Sequence, residues 1–371
     1  MITTQADIHE SIALMQIPNI GDVLAKQLVS YFGSAAEVLK LPKSKLEKVP
    51  GIGKIIAKDI AENKTEALLR AEKELAFIEK KGIEVLLFGQ DNYPSRLRNC
   101  FDSPLVLYYK GNADLNTEKI VSVVGTRTPD DYGKEVTEAL IVDLQNSGIM
   151  VVSGLAYGID VLAHHKSLEV GLPTIGVLAH GLDRIYPGLH KTIAGKMIEN
   201  GGLLTEFISE TNPDAPNFPR RNRIVAGMCD ALVVVQSKRS GGSLITATIA
   251  NSYNKDVFAF PGKAGNEISE GCNGLIKKQR AVLIENAADL LQEMSWSAGN
   301  EIKKSNQVQL TVALTEEEQK IFDCFQKSTE INIDELVSLS GLSISKLAPV
   351  LLSLEMKNIL NAKPGKKYGL V

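Results

Sequence analysis

Between residues 82 and 295 the chain alternates short, continuous apolar runs with stretches whose apolar positions return every three or four residues. The runs "IVSVVG" (120–125), "IMVVSG" (149–154), "TIGVLA" (174–179), "GLLTEF" (202–207), "ALVVVQ" (231–236), "DVFAF" (256–260) and "AVLIE" (281–285) read as strands, and segments such as "GKEVTEALIVDLQNSG" (133–148) read as helices. Strands that are apolar at every position, joined by amphipathic helices, predict a parallel sheet covered on both faces, hence an α/β, doubly wound, Rossmann-like domain over 82–296. In such sheets a ligand sits beyond the carboxyl ends of the strands.

The flanks carry different patterns. Residues 1–81 read as short helices containing a near repeat, "IPNIGDVLAKQL" (17–28) and "VPGIGKIIAKDI" (49–60), in which Pro18 and Pro50, Gly21 and Gly53, Ala25 and Ala57, and Lys26 and Lys58 match. Each copy predicts a small hairpin, with glycine supplying positive φ, followed by a helix whose N-terminus faces outward, the pattern of a tandem helix-hairpin-helix (SAM-like) domain. Asp22 weakens phosphate binding at the first copy. The polar stretch "SAGNEIKKSNQVQ" (297–309) predicts a linker, taken as 297–313. From 314 to 371, Thr315 and Glu318 form a capping-box pattern, two further helical stretches follow, and a basic C-terminal segment suggests a wing, so a winged-helix domain is expected. Pro349 lies in the presumed recognition helix, which predicts a kink or a later start, and that helix has only Lys346 and Lys357 as bases. A protein contact or auxiliary role is therefore favoured over reading of DNA sequence.

The 371 residues are 44% hydrophobic, with no apolar run long enough to span a bilayer and no signal-peptide pattern, so a cytoplasmic protein of two or three domains is expected. Cys100, Cys229, Cys272 and Cys324 show neither paired nor metal-binding spacing. The formal net charge of −3 excludes a globally basic coat, so any polyanion site is local.

The local excess lies between residues 215 and 280, with ten basic side chains against four acidic ones. "SKRSGGSLITA" (237–247) places Ser240, Gly241, Gly242 and Ser243 between a strand and a helix, where backbone amides and the helix dipole can hold a phosphate, with Lys238 and Arg239 beside them. Arg221 and Arg223 precede "IVAGM" at an expected helix start, Arg220 adjoins them, and Arg127 and Arg184 follow strands. Guanidiniums match phosphate oxygens and stack on bases. Gly125 and Gly154 end strands, as close approach to a ligand would require. Tyr157, Tyr186 and Phe218 are candidate stacking residues. Neither a dinucleotide fingerprint nor a Walker A motif is present. Asp160 and His164, one helical turn apart, are candidates for a metal or proton-transfer pair, with a structural role the commoner outcome. No catalytic set, cofactor or metal is expected.

Through "VGTR", "SGLAYGID", "GLDRIYP", "FPRRNRIVAG", "SGGSLITA", "FPG" and "GCNGLI", all between residues 124 and 276, the chain closely resembles the DNA processing protein A (DprA, or Smf) family of bacterial recombination mediators, and the resemblance runs across nearly the whole chain. The resemblance implies binding of single-stranded DNA in transformation or recombination, a homodimer formed through the Rossmann-like domain, and loading of a RecA-type recombinase. It carries Arg127, Arg184, Arg220, Arg221, Arg223, Ser240, Gly241 and Lys263 into the DNA site. Gly154, Asn222, Lys238, Arg239, Gly242, Ser243 and Asn273 complete the expected interface. The dimer face is guessed at the 271–291 end of the sheet. Two other readings remain open: a nucleotide phosphoribohydrolase-like enzyme on a related fold, whose P-G-G-x-G-T loop and following glutamate are missing here, and a nucleotide-sensing regulator binding duplex DNA through its C-terminal domain.

Overall fold

The computed structural model describes residues 5–49, 51–296, 315–325, 330–357, 359–363 and 367–370, so the expected linker lies outside the described residues. The chain divides into two compact units, 1–298 and 299–371.

The first unit opens with five helices, α1 (Gln5–Gln16), α2 (Asp22–Phe32), α3 (Ala35–Lys40), α4 (Lys43–Leu46) and α5 (Lys54–Lys81). The sequence repeat forms the hairpins that lead into α2 and α5, where Gly21 and Gly53 are the N-caps. These shared glycines are not the left-handed residues; positive φ falls two positions earlier in each copy, at Asn19 (63°) and Gly51 (85°), and asparagine is among the few other residues that tolerate it. The hairpins have diverged from each other. Asp22 accepts from the Leu105 amide at 2.9 Å, and the Lys26 ammonium donates to Ser103 Oγ at 2.7 Å and the Phe101 carbonyl at 3.1 Å. The first hairpin is therefore fastened onto the sheet domain, whereas Gly53, Lys54 and Lys58 at the second are exposed.

The sheet domain follows as β1 (Glu84–Leu87), α6 (Ser95–Arg98), β2 (Val106–Gly111), β3 (Lys119–Val124), α7 (Asp131–Asp143), β4 (Ile149–Ser153), α8 (Ile159–Glu169), β5 (Thr174–Val177), α9 (Lys191–Glu199), β6 (Gly201–Thr205), α10 (Asn217–Met228), β7 (Ala231–Val234), α11 (Gly242–Ser252), β8 (Asp256–Ala259), α12 (Glu270–Lys277), β9 (Val282–Leu283) and α13 (Ala287–Glu293). The nine strands lie in the order β1-β2-β6-β5-β4-β3-β7-β8-β9. From β6 to β9 all neighbours are parallel. The expectation of a wholly parallel sheet needs correction at one edge, because β2 pairs antiparallel with both β6 and β1. At the other edge the expected strand 281–285 shrinks to two exposed residues, Val282 and Leu283.

Burial on both faces explains the unbroken apolar runs. Ile120, Met150, Val152, Leu232 and Val234 belong to one core cluster, and their strand neighbours Val121, Ile149, Val151, Ala231 and Val233 to another. Strand order reverses at β3: β4 lies on one side, and the chain returns through α10 to β7 on the other. The crevice at that reversal is where this class of sheet binds its ligands.

The second unit comprises α14 (Glu316–Cys324), β10 (Glu330–Asn332), α15 (Ile333–Ser340), α16 (Ile344–Met356), β11 (Leu360–Lys363) and β12 (Lys367–Leu370), with strand order β10-β12-β11. The Thr315–Glu318 capping box forms. Helix α16 does not start late; it begins at Ile344 with Pro349 inside it. The carbonyl that loses its partner belongs to Ser345, which is exposed and open to water. Lys357 is engaged by Glu318 at 2.7 Å, which leaves Lys346 as the available base at that helix. Among the described residues no single helix is long and apolar enough to cross a membrane.

Candidate functional site

A cavity of about 740 Å³ opens at the reversal point, lined by the ends of β3, β4 and β7 and the starts of α10 and α11. It brings together Arg127, Gly154, Arg221, Asn222, Lys238, Ser240, Gly241, Gly242 and Ser243 from the expected interface. Its anion-receptive element is the start of α11, whose N-cap is Gly241 with no side-chain cap. Ser243, the second residue of the helix, does not cap that turn, and its hydroxyl donates to Ser237 Oγ at 2.8 Å. The Gly241 amide bonds the Lys238 carbonyl and the Leu244 amide the Gly241 carbonyl, so among the described residues the amides of Gly242 and Ser243 are the ones left without an acceptor at this helix start. Lys238 and Arg127 are exposed and form no ion pair among the described residues.

Arg127 lies over the Phe218 ring, 5.4 Å from its centroid, and Tyr186 stands 6.2 Å from the same ring. Tyr157 packs edge-on to His190 at 5.2 Å. The mouth of the cavity therefore carries a guanidinium and two half-exposed aromatic faces, surfaces on which bases stack.

The two strand-end glycines approach the protein itself. A Cβ on Gly154 would lie 1.9 Å from Arg221 Nη1, and one on Gly125 would lie 2.4 Å from Ile159 Cγ1. Their expected role in admitting a ligand is corrected to admitting Arg221 and Ile159.

The arginine cluster separates into three environments. Helix α10 begins at Asn217, earlier than the start expected just before Ile224, so Arg221 and Arg223 lie beyond its first turn. Arg221 is buried; Nη1 donates to the Val177 carbonyl at 2.6 Å, while Nε has no partner among the described residues. Arg223 is also buried, bonded to Asp22 at 2.9 Å and Glu206 at 2.5 Å, and it lines a separate cavity beside α2. Its expected place in the DNA site is corrected: burial and two carboxylates make it a joint between the helical segment and the sheet. Arg220 is exposed but pairs with Glu206 at 3.2 Å and lies over Phe207. Glu206, pushed up by burial against the pull of Arg223 and Arg220, is the organising acid that sequence reasoning missed. Its sequence signal is an acid closing the apolar run "GLLTEF".

Arg184 pairs with Asp183 at 2.7 Å and donates to Asn212. Arg239 and Asn273 line a neighbouring hollow with Lys277, Lys278 and Arg280. Asn273 closes a turn onto the Gly262 backbone, and Lys263 is exposed outside the main cavity. Asp160 and His164 do not bond each other. Asp160 Oδ2 accepts from the amides of Gly154 at 3.2 Å and Ala156 at 3.4 Å, and His164 Nδ1 meets Thr174 Oγ1 at 2.7 Å. Burial drives the His164 imidazole down to about 3, so it stays neutral.

A doubly wound sheet with an uncapped, cation-flanked helix start at its reversal point, preceded by a helix-hairpin-helix tandem and followed by a winged helix, defines a multidomain α/β protein built to receive anions. Its three parts match three families: residues 11–63 a SAM-like helix-hairpin-helix tandem, 84–295 DNA recombination-mediator protein A, and 306–366 the DprA winged-helix domain. The chain belongs to the DNA recombination-mediator protein A (DprA/Smf) family. It is 32% identical to protein Smf of Synechocystis over 96% of this chain and 97% of the relative. Among solved structures it is similar to DNA processing protein A of Streptococcus pneumoniae, with 31% identity, a TM-score of 0.65, and coverage of 79% of this chain and 99% of that one. It is also similar to the Helicobacter pylori protein described for its single-stranded DNA binding mode, with 30% identity, a TM-score of 0.52, and coverage of 57% and 95%.

Proposed function

We propose that this protein binds single-stranded DNA without sequence preference in the cavity at the ends of β3, β4 and β7, and that it loads a RecA-type recombinase onto the bound strand during natural transformation or recombination. The observation that carries the reading is the uncapped start of α11 facing the same cavity as the unpaired Arg127 and Lys238. Amides and cations hold a phosphate whatever base it carries, and the Arg127–Phe218–Tyr186 group offers planar faces to any base. Family membership and the Helicobacter pylori relative support the choice of an unpaired strand as the ligand.

Arg127, Lys238, Asn222, Ser240, Gly241 and Gly242 form the primary contact. Arg220 and Arg184 are secondary contacts that must exchange a carboxylate for a phosphate. Arg239 and Lys263 extend the path of the strand. A homodimer through the sheet domain would present two such cavities. The terminal segments, 1–81 and 314–371, act as auxiliary modules.

A gel-shift series with single-stranded and duplex oligonucleotides, with and without recombinase, tests both parts. Preference for the single strand, and faster recombinase filament formation in its presence, are the expected results. Equal affinity for duplex would favour the regulator reading. Release of base from nucleoside monophosphates would favour the hydrolase reading, against which stands the single cavity acid, Asp160, whose Oδ2 is already engaged by two backbone amides.

A further inference from the structure

The floor of this anion-receptive cavity contains a carboxylate. Asp160, in the first turn of α8, is the one acid among the cavity's lining residues and is buried. Its Oδ2 draws in the amides of Gly154 and Ala156 and so shapes the turn after β4. That turn is demanding: Leu155 has φ of 55°, Gly158 has φ of 78°, and a Cβ on Gly158 would lie 2.2 Å from the Thr126 carbonyl. The turn after β4 thereby rests on the turn that carries Arg127.

An amide or hydroxyl side chain would also accept those bonds. A carboxylate adds a negative charge where a phosphate is to be held. Its counter-charge is Arg221 of α10, whose guanidinium lies against the Gly154 backbone and donates to the Val177 carbonyl. One buried positive and one buried negative charge thus share the floor and largely offset each other. The attraction is left to Arg127, Lys238 and the α11 amides.

We propose that Asp160 governs the grip of the cavity: it positions the 154–156 turn through two backbone amides, and its charge holds phosphate affinity below the level the surrounding cations would otherwise give, so that a bound strand can be handed on. This rests on the single-stranded DNA reading above. The charged and titratable groups around it are Arg221 from α10, Arg127 after β3 and Lys238 after β7, with the His164 imidazole one turn further along α8. Burial raises the Asp160 carboxyl, with Arg221 opposing, and the neutral His164 does not titrate alongside it. Protonation removes the repelling charge, so affinity rises as pH falls through the raised value.

The test is fluorescence anisotropy of a labelled oligothymidylate at fixed ionic strength and neutral pH, with wild type, Asp160→Asn, Asp160→Ala and Arg127→Ala. Asp160→Asn keeps an acceptor oxygen for the turn but no charge, and it should bind roughly three- to tenfold tighter at neutral pH, with slower dissociation than wild type. Asp160→Ala loses the acceptor as well and should bind more weakly than Asp160→Asn. Folded Asp160→Asn that binds no tighter than wild type overturns the charge role, and Asp160→Ala equal to Asp160→Asn overturns the positioning role. Should Asp160→Asn not fold, Asp160→Ser, which keeps an acceptor oxygen and drops the charge, takes its place, and folded Asp160→Ser that binds no tighter than wild type overturns the charge role instead. Arg127→Ala binding as tightly as wild type is a different failure, because it removes the strand from this cavity altogether.

Discussion

The guanidinium of Arg223 donates across 2.9 Å to the carboxylate of Asp22, a residue 201 positions earlier in the chain. The same nitrogen meets Glu206 at 2.5 Å, so one buried cation joins the first hairpin, the end of β6 and α10. Removing one member of a buried ionic group leaves the others uncompensated, at a cost of about 3–5 kcal/mol. Arg223→Ala is therefore expected to lower the thermal midpoint of the sheet domain by several degrees, and calorimetry checks it. An unchanged midpoint with lost DNA affinity would return Arg223 to the binding surface.

Arg127 and Lys238 are exposed and form no ion pair among the described residues, so their removal should spare the fold. Each phosphate that the protein no longer neutralises should reduce the slope of log K against log salt by about 0.7. Arg127→Ala and Lys238→Ala are expected to weaken binding to all single strands alike, by titration over a salt series. A slope identical to wild type in the double variant would place the strand elsewhere.

The turn before α11 tolerates no side chain at Gly241. A Cβ there would lie 2.3 Å from Ser237 Oγ, whose hydroxyl also accepts from Ser243. Gly241→Ala should shift the phosphate-facing amides and weaken DNA binding, whereas Gly242→Ala, where a Cβ meets nothing within 4 Å, should leave binding nearly intact. Equal losses in the two variants would mean that the turn geometry is not what holds the phosphate.

How far the sequence was legible follows from what each residue does. The central strands were visible because both faces of the sheet are buried, which writes unbroken apolar runs. β1 and β2 were not, since they lie at an antiparallel edge partly covered by α1 to α5, where the pattern blurs. The serine-glycine turn was legible from local chemistry alone. The fate of the arginines was not: Arg221 and Arg223 look alike in sequence, and their separation depends on Val177, Asp22 and Glu206, partners from distant segments that no local spacing encodes.

Glu318 and Lys357 supply a pH-sensitive clasp in the second unit. Both Lys357 hydrogen bonds to the Glu318 carboxylate are 2.7 Å, and Ser353 and the Thr315 amide donate to the same group. The Lys357 bond, followed by that of Ser353, lowers the Glu318 carboxyl to about 2. A carboxyl depressed by folding stabilises the folded state above its unfolded value of about 4.3, and that contribution fades as pH falls toward the folded value. The C-terminal unit should therefore lose stability as pH falls from about 5 toward about 2. In Lys357→Met the loss over this range should be smaller, because the largest cause of the depression is gone. Hydrogen exchange of α14 and α16 amides in the full chain, followed against pH, reads this out. Parallel pH profiles for the two proteins would show that the clasp contributes nothing to the fold.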